Sequence, residues 1–107
     1  MSEPSEHVAI EMDSEEAVTS LCNEVRLLEG VTAQKVKSER LDGHAPEWIF
    51  VASTALTVLP KVLESIAKLV AATKVRSITV GGTTIKNPTA ADIRALRDKP
   101  RPNTKSH

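Results

Sequence analysis

From Trp48 to Lys74 the chain carries its densest apolar stretch, and how this stretch divides decides what the remainder can fold into. Two readings compete. Trp48-Ile49-Phe50-Val51 has the β-branched and aromatic composition of a buried strand, with Pro60 placed to open a separate helix behind it. Against this, at about 100° per residue, Glu47, Thr54, Thr57, Lys61, Glu64, Ser65 and Lys68 form one polar stripe. The stripe passes through Pro60 without slipping, although Phe50 interrupts it. A strand over 48–53 is also apolar on both of its faces. The phase therefore favours one long helix, opened by Pro46-Glu47 and kinked at Pro60, over a strand followed by a helix.

The flanking segments read more simply. Val8, Ile10 and Met12 alternate with polar residues and predict a half-buried strand from His7 to Asp13. Asp13 or Ser14 then caps an amphipathic helix whose apolar face is Ala17, Val18, Leu21, Cys22, Val25 and Leu28, with Gly30 as its stop. Val31 and Ala33 share a strand phase that Val36 breaks, which requires either a bulge at Gln34-Lys35 or an edge strand with a polar end. Strand, helix and strand in this order suggest a crossover whose two strands pair in parallel.

Leu41 to Ala45 reads as a loop. Ser77 to Lys86 reads as a hairpin in which Gly81-Gly82 supplies the two positive-φ positions of a tight turn, with Val80 facing Thr83 and Ile78 facing Ile85. Asn87-Pro88 closes it, and Thr89 with Asp92 starts a short helix anchored by Ile93 and Leu96. The expected fold is a two-layer α+β domain over residues 7–97: a small mixed sheet, two main helices and a short C-terminal helix. Residues 1–6 and 98–107 are expected to be disordered ends, the latter basic.

Composition removes several function classes. Fourteen Lys and Arg balance fourteen Asp and Glu, so no net field favours nucleic acid or acidic lipid. One Trp and one Phe are too few for a reader that stacks bases on rings. Pro60, Lys61, Glu64 and Lys68 break the apolar run, so no stable membrane insertion is expected. A single cysteine on an apolar stripe fits a reducing compartment, and with no export leader at Met1 the expected location is cytoplasmic.

The polar groups suggest no chemistry. Cys22 lacks a local base and reads as core, and His7, His44 and His107 are too scattered to converge on a metal. Gly81-Gly82-Thr83-Thr84 joins two strands, unlike a phosphate loop, which feeds a helix. No catalytic, cofactor-binding or metal-binding residue is assigned. Asp42, His44 and Glu47, gathered ahead of an expected helix start, are the groups an interface active site would use. Charge is uneven: Glu3, Glu6, Glu11, Asp13, Glu15, Glu16 and Glu24 precede the first Lys or Arg. Arg94, Arg97, Lys99, Arg101 and Lys105 crowd the other end. An acidic first segment of this kind would also suit an immunity-type inhibitor steered onto a basic target.

The order of elements, with Leu21 and Val25 on the first helix, the Leu59–Val70 stretch, and a hairpin ending Ile85-Lys86-Asn87-Pro88-Thr89, resembles the small bacterial effector-associated constant-component domains. The pattern departs from that family in lacking a second glycine near Gly43 and in the bulk of Trp48-Ile49-Phe50. The resemblance implies a non-enzymatic adaptor that docks effectors or sensors, and it transfers no catalytic residue. Together the residues and the resemblance predict a protein–protein interaction module, self-associating or bound to a protein partner. Ala52, Ala55, Leu59, Leu63, Ile66 and Val70 of the long helix are its expected interface.

Overall fold

The computed structural model describes residues 5–38 and 47–98. Strand β1 (Ser5–Met12) leads into helix α1 (Glu15–Val25), followed by β2 (Val31–Ser38) and β3 (Glu47–Ala55). Helix α2 (Leu59–Ala72), the hairpin β4 (Ser77–Val80) and β5 (Thr83–Lys86), and helix α3 (Ala90–Asp98) complete the order. The five strands form one sheet in the order β2-β3-β1-β4-β5. Every neighbouring pair is antiparallel.

The expected parallel strand-helix-strand unit is therefore corrected. Strands β1 and β2 do run the same way, but β3 lies between them and pairs with both: Phe50 sits opposite Ile10 on one side and Lys35 on the other. Likewise β1 lies between β3 and β4, the strands that α2 connects. Two split β-α-β units interlock, giving the ferredoxin-like arrangement with an added edge strand and terminal helix.

The expected long helix is corrected by the same pairing. Residues 47–55 are a strand, and a helix begins only at Leu59, with Pro60 in its first turn where a missing amide costs nothing. The polar stripe was a coincidence of spacing. Thr54 is completely buried and donates its hydroxyl to the Ala55 carbonyl at 3.1 Å. Phe50, the exception on that stripe, is also completely buried. An interior strand obtains hydrogen-bond partners on both edges, which outweighs the helical phase of its side chains.

One face of the sheet carries all of the packing. Val8, Ile10, Met12, Phe50, Ala52, Ile78 and Val80 meet Val18, Leu21, Cys22 and Val25 of α1 and Leu59, Val62, Leu63, Ile66 and Ala67 of α2. Helix α3 adds Ile93 and Leu96 by packing on α2. Burial pushes the Cys22 thiol above its ordinary pKa, so it is held as a neutral core group.

Local signals place the element ends. Ser14 accepts the Ala17 amide at 3.1 Å and caps α1. Gly30 turns the chain into β2 with a φ of 85°. Thr89 and Asp92 exchange hydrogen bonds of 2.9 and 3.1 Å in a reciprocal cap for α3. In the β4-β5 turn Gly81 has a φ of 60°, while Gly82 does not take a positive φ. That is the demand of a turn with glycine at its first central position, rather than at both. Strand β1 starts at Ser5, inside the expected disordered end, and α3 includes Asp98, the first residue of the expected tail; residues 1–4 and 99–107 lie outside the described residues.

Glu64 on α2 ties α3 down, with Arg94 Nη2 at 3.3 Å and Arg97 beside it. The Arg94 hydrogen bond holds its carboxyl below the ordinary value, with the positive charges of Arg94, Arg97 and Lys68 adding to the effect. A depressed folded pKa stabilises above the unfolded value and loses that stabilisation as pH falls through the folded one. Glu64→Gln should therefore lower Tm at neutral pH, and a series of melts should show its gap from the unsubstituted protein closing only at acidities below the ordinary carboxylate range. The turn makes a second expectation. Gly81→Val should cost about 1–2 kcal/mol of backbone strain and several degrees in Tm. Gly82→Ala, where a Cβ meets nothing within 4 Å, should leave Tm unchanged by calorimetry.

Candidate functional site

Five of the six expected interface residues are inside the domain. Ala52 and Ala55 belong to β3 and are buried; Leu59, Leu63 and Ile66 are buried beneath α2 against the protein's own sheet. Val70 is half-buried at the edge of the same core.

The unpartnered surface is instead the second face of the sheet. Alternation along the strands puts Ala9 and Glu11 of β1, Ile49, Val51 and Ser53 of β3, and Thr32, Gln34 and Val36 of β2 on the face that none of the described helices covers. Ser77 and Thr79 of β4 and Thr84 and Lys86 of β5 extend it. In register, Gln34, Val51, Ala9, Thr79 and Thr84 make one row across all five strands; Val36, Ile49, Glu11, Ser77 and Lys86 make the next. A depression of about 300 Å³ opens on this face, lined by His7, Thr32, Gln34, Val51 and Ser53 with Ala33 and Ala52. Among these lining side chains there is no carboxylate, ammonium or guanidinium group.

Val36 explains the phase break in β2 without a bulge. It points to the open face while Val31 and Ala33 point to the helices, and it is 37% exposed on an edge strand. On the helix side of that edge, the Trp48 ring lies under Lys35 Nζ at 5.3 Å and Lys37 Nζ at 5.9 Å. The edge itself is guarded. Gly30 accepts the Ala55 amide at 2.9 Å, which fixes the ladder so that the Ala33 carbonyl points away from β3. Arg26, just past the end of α1, donates Nε and Nη2 to that carbonyl at 3.1 and 2.9 Å. A guanidinium on an outward carbonyl closes the position a foreign strand would need.

The other polar groups singled out in the sequence do not converge. Asp42 and His44 lie outside the described residues, and Glu47 is ion-paired at 3.0 Å with Arg76. His7 lies on the open face, and no grouping of His, Cys, Asp and Glu among the described residues could hold a metal ion. Four of the seven carboxylates of the acidic segment are engaged within the domain. Glu11 accepts Ser77 Oγ at 3.3 Å, Asp13 pairs with Arg76 at 2.9 Å, Glu15 with Lys35 at 2.7 Å, and Glu24 accepts Ser65 at 2.8 Å. No helix among the described residues is long and apolar enough to cross a membrane.

No family model and no curated protein matches the chain. Among solved structures it is similar to a functionally unknown protein from Pediococcus pentosaceus. The match has 20% identity and a TM-score of 0.47, and it covers 79% of this chain and 90% of that one.

The sheet face carries its own signal in the sequence, the same feature that argues for a helix over 48–53. Ile49 and Val51 make a strand at 48–53 apolar on both sides, the pattern of a strand with one face in the core and partly buried aliphatic side chains on the other. The guarded edge yields a direct expectation. Arg26→Ala should leave the fold and most of its stability in place but raise association beyond that of the unsubstituted protein, read by sedimentation velocity at matched concentration. An unchanged profile would show that Arg26 does not protect the edge.

Proposed function

We propose that this chain is a non-enzymatic protein–protein interaction module that docks its partner through the open face of its sheet. The observation that carries the reading is the placement of Ala9, Ile49 and Val51 on the face without helices, at the centre of a polar rim of Thr32, Gln34, Ser53, Ser77 and Thr79. An apolar centre inside a polar border is the anatomy of a protein interface. The neutral net charge and the lack of ring platforms argue against nucleic acid as the partner. The lone buried thiol suits work in a reducing cytoplasm. In keeping with the resemblance to effector-associated domains, the partner is a protein of a bacterial effector or sensor system, or another copy of the chain.

An inhibitor acting through the acidic first segment is less well supported, since Glu11, Asp13, Glu15 and Glu24 are engaged by the domain itself. An interface enzyme draws no support from Glu47, which Arg76 occupies. Val51→Asp should keep the cooperative melt yet abolish association, whether with itself or with proteins that co-purify from the source cells. Lys68→Glu, on the exposed flank of α2, should leave association intact. Quantitative co-purification of both variants reads the difference, and the reverse pattern would move the interface to the helix.

A further inference from the structure

We propose that the open face binds a second copy of this chain, sheet to sheet, about a two-fold axis that lies across the strands. The inference rests on the docking-face reading and goes further by naming the occupant and its orientation. Two identical sheets stacked face to face are related by an axis in the plane between them. An axis along the strands keeps each row over itself: run along the central β1 it stacks the half-buried Glu11 carboxylate on the partner's Glu11, and run between β1 and β3 it presses that carboxylate onto the partner's Ile49. Desolvating a carboxylate against an aliphatic side chain is costly. An axis across the strands lays each strand over its own counterpart with its ends exchanged.

Centred on the Gln34-Val51-Ala9-Thr79 row, that second arrangement stacks the uncharged row on itself. The same turn brings His7 over the partner's Glu11, because the two residues lie equally far on either side of Ala9. It also sets Thr32 against the partner's Val36 and Ser53 against the partner's Ile49. The face is therefore complementary to itself: the imidazole at one end of β1 answers the carboxylate at the other. Five strands at a spacing of about 4.8 Å and lengths of about 20 Å offer roughly 500 Å² per copy. The total of about 1,000 Å² is at the lower limit for a specific interface, so the dimer is reversible and concentration-dependent.

Sedimentation equilibrium of the purified full chain, from low micromolar to several hundred micromolar, tests this. A monomer–dimer equilibrium is expected. His7→Lys should tighten it, His7→Glu should weaken it about tenfold or more, and adding Glu11→Lys to His7→Glu should restore it. Thermal melts confirm that each variant is folded; His7 is exposed, so its single variants report even where Glu11→Lys does not fold. A wild-type monomer at every concentration would overturn the second copy as occupant. The docking-face reading would still stand if Val51→Asp removed co-purifying proteins. A dimer abolished by Val51→Asp but indifferent to the charge at position 7 would overturn the orientation, and a dimer indifferent to Val51→Asp would overturn the face.

Discussion

The pairing of β3 with both β1 and β2 is the constraint on which the rest of the molecule depends. Phe50 is completely buried, and its strand has hydrogen-bonded neighbours on either side, Ile10 opposite in β1 and Lys35 opposite in β2. Because β3 occupies the slot beside β1, α1 must carry the chain past it to the outer edge. Strand β4 must then pair on the other side of β1. Both connecting helices land on one face, and none of the described helices covers the opposite one. The open face is thus a consequence of strand order rather than a separate feature added to the fold.

Energetically the two faces divide the labour. The helix side holds a continuous apolar core from Val8 to Leu96, including a thiol whose burial keeps it neutral. The surrounding ion pairs, such as Lys35 with Glu15 and Arg76 with Asp13, are solvent-exposed and contribute little each. They matter more as local clamps, engaging the acidic groups that a reading of charge alone leaves available for a partner. Arg26 acts similarly on the backbone, occupying an edge carbonyl and leaving the broad face as the accessible surface.

Much of this was legible in the sequence where signals are local. The cap at Ser14, the Ile78–Ile85 register of the hairpin and the Thr89–Asp92 cap all follow from turn and cap chemistry acting over a few residues, whereas Gly30, expected to stop α1, turns the chain into β2 after a helix that already ends at Val25. The class, α+β with helices on one face of a small sheet, was likewise readable. What failed depends on partners distant in the chain. The helical phase of Glu47, Thr54 and Thr57 was real as a pattern, but Thr54 is buried in a strand interior and Glu47 is held by Arg76. The parallel pairing of β1 and β2 failed for a related reason: a segment read as helix could not be seen to separate them. With β3 misassigned, the residues expected at an interface were those that now fill the core, and Ile49 and Val51 went unread.

The most direct measurement is a set of cross-strand nuclear Overhauser contacts in the full chain. The account predicts Hα contacts between Ala9 and Val51 and between Lys35 and Phe50, with slow amide exchange through residues 47–55. Helical amide–amide contacts running through 47–55, or direct contacts pairing β1 with β2, would contradict it. Either finding would also remove the open face on which the functional reading depends.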